Sequence, residues 1–151
     1  MKCKTILVVD DEPDVLETIV EVLERHQIQT AGTFGKALEL LETQRYDMAI
    51  LDVMGVKGLD LLATAVRKEI PAVMLTAPAM NPEYILKSME LGAVSYISKE
   101  DLAHLDALLA ELLGVLERGE SPWRHTMERL EPTLDERLPV GWKDEYKKLW
   151  D

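Results

Sequence analysis

Five short β-rich runs, each followed by a longer helical pattern, constrain this chain more than any other feature. The runs are Thr5-Ile6-Leu7-Val8-Val9, a weaker Ile28-Gln29-Thr30-Ala31, Met48-Ala49-Ile50-Leu51, Ala72-Val73-Met74-Leu75 and Val94-Ser95-Tyr96-Ile97. Three of them are nearly continuous apolar stretches, as expected of parallel strands covered on both faces. Between the runs, apolar residues recur at spacings of three and four: Val15, Leu16, Ile19, Val20 and Leu23 in the first helix, Leu61, Leu62, Ala65 and Val66 in the third. Pro13 stands where an N1 proline would start the first helix, and Gly92 where a C′ glycine would end the fourth. Repeated β–α units with short connections require right-handed crossovers. The fold class is therefore α/β, a doubly wound five-stranded parallel sheet. The alternation alone leaves the strand order open.

The fifth helix, roughly residues 100–118, carries more apolar surface than one sheet face can use. Leu102, Leu105, Leu109, Leu112 and Leu116 form a stripe that Leu108, Leu113 and Val115 widen, so a second contact is expected from another protomer or from the tail. Residues 119–151 hold all three tryptophans, Trp123, Trp142 and Trp150. Ser121-Pro122 reads as a helix start with Trp123, Met127 and Leu130 on one face, while Pro132 and Pro139-Val140-Gly141 read as interruptions. Trp142, Tyr146, Leu149 and Trp150 share a later helical face. The expected organisation is one domain over 1–118 and a helical extension over 119–151, too short for a core of its own and packed on the fifth helix.

Charge and cysteine content narrow the function classes. A net charge of −11, with six basic against eight acidic residues in 119–151, argues against nucleic acid and anionic membranes as partners. No apolar run of about 18 residues is present, and the N-terminal run lacks a signal-peptide cleavage site, so a cytoplasmic location is expected. Cys3 is the sole cysteine, which excludes an internal disulfide. His26, His104 and His125 show no ligand-like spacing.

Chemistry concentrates where the strands end. In an open parallel sheet, ligands bind beyond the carboxyl ends of the strands. Asp10-Asp11-Glu12 follows the first run, Asp52 the third, Thr76-Ala77 the fourth and Ser98-Lys99 the fifth. Acids so close raise one another's pKa unless a cation sits among them, and a hard divalent ion such as Mg²⁺ suits an all-oxygen set. A carboxylate beside such an ion can attack phosphorus and form an aspartyl phosphate. Asp52 is then the phosphoacceptor and also a metal ligand, Asp11 and Asp10 hold the metal with it, and Lys99, Thr76 and the Ala77 backbone take the phosphoryl oxygens. As bland alternatives, the acids at 10–12 could cap the first helix, and Thr76 could serve only as a turn former.

The segments ILVVDDEPDVLETIVEVLE, AILDVM, MLTA and GAVSYISK resemble the response regulator receiver domain of two-component signalling, over about residues 4–118. That resemblance implies strand order 2-1-3-4-5. It implies that the Met54 backbone carbonyl joins the metal ligands, and that Thr76 and Tyr96 form a switch pair. It also implies a histidine kinase or phosphotransfer protein as phosphoryl source, and a downstream protein target. That target, or a second copy in a homodimer, would use the face of the fourth helix, fifth strand and fifth helix. Two departures stand out. The run Asp52-Val53-Met54-Gly55-Val56-Lys57-Gly58-Leu59 is two residues shorter than the family's loop and lacks its proline, leaving Gly55 and Gly58 to accommodate the backbone. Glu100 replaces the proline after Lys99, so no cis peptide is expected there. Met54 and Pro78 are apolar and cannot orient a water, which predicts slow autodephosphorylation.

The leading expectation is a single-domain response regulator, not an enzyme beyond its own phosphoryl transfer, that works as a protein-interaction switch. A receiver-like interaction domain that is never phosphorylated is the second reading. An α/β phosphatase is a third, which the absence of a second acid in Asp52-Val53-Met54 disfavours.

Overall fold

A computed structural model describes residues 3–77 and 82–146. In chain order these form β1 (Thr5–Val9), α1 (Pro13–Val22), β2 (Gln27–Ala31), α2 (Phe34–Thr43), β3 (Met48–Asp52), α3 (Gly58–Arg67), β4 (Ala72–Thr76), α4 (Pro82–Leu91) and β5 (Ser95–Ser98). A 3₁₀ segment, Lys99–His104, then leads into α5 (Leu105–Glu117), α6 (Pro122–Arg137) and α7 (Trp142–Tyr146). All strand pairings are parallel, and the order is β2-β1-β3-β4-β5. Pro13 occupies the first turn of α1, and Gly92 closes α4 at φ +104. No cis peptide bond occurs among the described residues.

The alternation along each strand splits the interior into two layers. Ile6, Val8, Ile50, Val73, Leu75 and Ile97 face Val15 and Ile19 of α1 and Leu105, Leu109 and Leu112 of α5. Their neighbours Leu7, Val9, Leu51, Met74 and Tyr96 face α2, α3 and α4. Both β3 and β4 are buried at every residue, which explains their unbroken apolar sequences.

The two sheet edges differ. On β2 the residues alternate between exposed and half-buried until Ala31, as an edge strand should. Ser95, Tyr96 and Ile97 of β5 are all buried, because α6 lies against that strand. Trp123 Nε1 donates to the Ala93 carbonyl, and the Ser95 and Thr126 hydroxyls pair at 2.7 Å. Covering an edge in this way removes a template for unwanted strand pairing.

Two expectations change here. The face of α4, β5 and α5, through which a target or a second copy was expected to bind, is covered by α6. The tail packs on α5 as expected, and Trp123, Met127, Leu134 and Trp142 also bury themselves in the layer of α2, α3 and α4. Pro132 does not interrupt α6, which runs through it. Pro132 is exposed, and buried anchors on both sides hold the helix across the missing backbone donor. The break at Pro139-Val140-Gly141 is present, between α6 and α7. Leu149, Trp150 and Pro78 lie outside the described residues, as does any detail of the Tyr146 side chain. Among the described residues no helix is long and apolar enough to cross a membrane.

Candidate functional site

Parallel register gathers the acids. Val9 pairs with Leu51 and Asp52 with Leu75, so Asp10 and Asp52 end adjacent strands at the same level and Thr76 stands one residue beyond. Asp10, Asp52 and Thr76 are all buried. Lys99, first residue of the 3₁₀ segment, turns back over this edge. Its Nζ lies 3.0 Å from Asp10 Oδ2, 3.5 Å from Asp52 Oδ1 and 3.5 Å from Glu12 Oε1. The approach to Asp10 Oδ2 is an ion pair too oblique for a regular hydrogen bond, while Asp10 Oδ1 accepts from the Glu12 N–H at 2.9 Å.

This geometry answers the bland reading of the first acids. Glu12 is the N-cap of α1, yet its side chain makes no capping bond and reaches instead toward Lys99. Sequence reasoning left Glu12 out of the site; its place in the same acidic run was the available signal. Carboxylate oxygens of Asp10, Asp11 and Glu12 lie within 4.8 Å of one another, a grouping suited to a cation.

Electrostatics show what the site favours. Burial first, then the nearby charges of Asp10 and Asp11, push the Asp52 carboxyl up to about 6, against the pull of Lys99. Burial also raises Asp10, and the acids around Lys99 hold its ammonium above the usual lysine range despite desolvation. One ammonium does not neutralise this many carboxylates. The residues therefore fit a divalent cation, which would favour the charged form of Asp52.

The loop after Asp52 is tight. Val56 N–H donates to the Met54 carbonyl at 2.9 Å across Gly55, whose φ is +78. A Cβ at position 55 would stand 2.5 Å from Asp11 Oδ2, and one at position 58 would overlap the Asp52 carbonyl oxygen. Lys57 takes a left-handed φ of 54 and sets its ammonium 5.3 Å from the Phe34 ring. The shortened loop is thus accommodated by both glycines.

Thr76 Oγ1 donates to the carbonyl of Ala77 at 3.1 Å. The Tyr96 ring is turned into the protein, and its hydroxyl is buried with no regular hydrogen-bond partner. Burial pushes this phenol up to about 12; the Thr76 hydroxyl opposes that shift, and the Asp52 charge adds to it. A cavity of about 590 Å³ between α4 and the α6–α7 corner holds none of these groups.

Comparison with known proteins decides the family. A model of the response regulator receiver domain matches residues 6–110. The chain belongs to the response regulator receiver domain family. It is 30% identical over 122 residues to the transcriptional regulatory protein AfsQ1 of Streptomyces coelicolor, covering 77% of this chain and 52% of that protein. Over 78 residues it is 40% identical to the heme response regulator HssR of Staphylococcus saprophyticus, covering 48% of this chain and 35% of that one. This receiver chain thus spans about a third to about a half of the length of these relatives. Among solved structures, the Mn(2+)-bound form of response regulator Rcp1 superposes with a TM-score of 0.60 at 27% identity, over 68% of this chain and 88% of that one.

Proposed function

We propose that this receiver is a phosphorylation-controlled switch, with Asp52 as phosphoacceptor and a histidine kinase or phosphotransfer protein as donor. The observation that carries the proposal is the buried Asp52 carboxyl, held beside Asp10 and Lys99 at the carboxyl edge of the sheet. Asp10 and Asp11, with the Met54 carbonyl, are the residues that would hold Mg²⁺. When bound, the ion offsets negative charge on the transferring phosphoryl group.

An Asp52 oxygen attacks phosphorus; the new P–O bond forms as the bond to the donor nitrogen breaks, and the proton balance stays with the leaving imidazole. Lys99, 3.5 Å from Asp52 Oδ1, is placed to pair with a phosphoryl oxygen. The Thr76 hydroxyl and the Ala77 N–H are the other donors on this edge. Met54, 51% exposed at the mouth of the site, offers a thioether that cannot orient an attacking water. The aspartyl phosphate should therefore be long-lived; a half-life of seconds in buffer with Mg²⁺ would contradict this.

Acetyl phosphate tests the central claim, since transfer to Asp52 releases acetate. With Mg²⁺, intact mass should show one added phosphoryl group, absent in Asp52→Asn. No adduct at any donor concentration would favour the reading as an unphosphorylated interaction domain. Steady hydrolysis of phosphate esters would favour the phosphatase. We further propose that residues 1–118 form the receiver unit and that 119–151 belong to its output, because α6 already occupies the surface a target would use.

A further inference from the structure

The end of the sheet opposite the acidic pocket holds a titratable group that the phosphoryl chemistry does not use. His26 closes the turn between α1 and β2, and its side chain is fully buried. Its Nδ1 accepts from the Lys4 N–H at 3.0 Å, just ahead of β1. One residue on, the Gln27 N–H donates to the Lys4 carbonyl at 2.9 Å. Both backbone groups of Lys4 are thus held, one by the imidazole and one by the start of β2.

A neutral imidazole accepts at one nitrogen and donates at the other, so acceptance at Nδ1 fixes the proton on Nε2. Nε2 is buried without a regular partner. The carboxylate oxygen it faces, Asp106 Oδ1 on α5, is 4.0 Å away. That oxygen already accepts from Arg25 Nε at 3.0 Å and from a terminal Arg25 nitrogen at 2.8 Å. Burial first, then the charge of Arg25, holds His26 below the ordinary histidine value of 6.5; Lys4 and the amino terminus add to this, and Asp106 opposes it. These are the charged groups that face the ring from its own turn, from the β1 side and from α5.

We propose that His26 is an acid-released latch on this rim of the sheet: neutral, it ties the start of β1 to the α1–β2 turn, and protonation opens that tie. A second proton on the ring occupies Nδ1 and sets donor against donor at Lys4. The ring relieves this only by turning Nδ1 away, which frees the Lys4 amide and weakens the first rung between β1 and the edge strand β2. The sign follows from linkage. The latch contributes its full stability above about 6.5, and the contribution falls as pH drops below that value. This slope is opposite to that of Asp52, whose folded carboxyl titrates above its ordinary value.

The test uses the full chain, with histidine ring nitrogens and backbone amides followed by ¹⁵N NMR from about pH 7.5 down to about pH 4.5. At the upper end His26 should carry its proton on Nε2, and it should titrate below 6.5. Across that titration the Lys4 amide, corrected for intrinsic exchange chemistry, should lose protection about fivefold or more, the weight of one ordinary hydrogen bond. Amides of β3 and β4 should keep theirs. His26→Asn places an acceptor oxygen the same two bonds from Cβ as Nδ1 and cannot titrate, so its Lys4 amide should show no such loss. The Asp52 titration is common to both proteins and cancels. A ring protonated on Nδ1 at neutral pH, a ring that takes no proton in this range, or a Lys4 amide equally protected in both charge states overturns the latch. So does a His26→Asn protein that keeps the full loss. The ring measurements need only the parent protein, so they decide the matter even where His26→Asn does not fold.

Discussion

Gly58→Ala should destabilise the protein by about 3 kcal/mol or more and take phosphoryl uptake with it, because overpacking against backbone has no cheap relief. The added Cβ would overlap the Asp52 carbonyl oxygen and stand 2.8 Å from the Asp52 carbonyl carbon and from Val53 Cα. Nothing flexible is in the way, so the first turn of α3 or the end of β3 must shift. Either movement displaces the proposed phosphoacceptor itself. Gly35→Ala is the control. It lies in α2 with nothing within 4 Å of the new methyl, and should stabilise by about 0.5–1 kcal/mol through helix propensity. Urea unfolding of both variants checks the pair; a Gly58→Ala protein as stable as the parent would mean the loop has room it does not show.

Asp52→Asn should make the metal-free protein more stable at neutral pH, by about 1–3 kcal/mol. The sign follows from the folded carboxyl titrating near 6, above the ordinary 3.8. Between those values the folded state keeps a proton that the unfolded chain has lost. This group therefore favours folding below that window, and its contribution falls as pH rises through it. Above about 6 the charged Asp52 is a standing cost, made of burial and of repulsion from Asp10 and Asp11. Asparagine removes the charge and keeps the shape. Chemical denaturation in a chelator, from pH 4.5 to 7.5, should show the parent losing stability relative to the variant as pH rises. Adding Mg²⁺ should stabilise the parent more than the variant, since only the parent offers the full negative charge. Parallel pH curves for the two proteins would sink the assignment of Asp52's burden to its charge.

Much of this was readable from residue order. Short β-rich, nearly continuous apolar runs against periods of three and four gave the β–α alternation, Pro13 and Gly92 marked helix ends, and the acids, Thr76 and Lys99 sat at or just past the strand ends. The glycines of the loop after Asp52 were legible as a need for backbone freedom, though not the contact that makes position 58 so restrictive. Pro132 misled, since a local rule on helix breaking was outweighed by packing at Trp123, Met127 and Leu134. The surplus leucines of α5 announced a second contact without naming its place.

Sequence by itself determined the β–α alternation and the candidate chemistry-bearing residues, because both follow from local periodicity and from where each strand stops. Tertiary structure alone decided how they meet. Register between strands placed Lys99 among Asp10, Glu12 and Asp52, and left Asp52 titrating near 6. It also laid α6 over β5, since apolar and hydroxyl groups scattered over distant segments choose partners only once the sheet exists to present them.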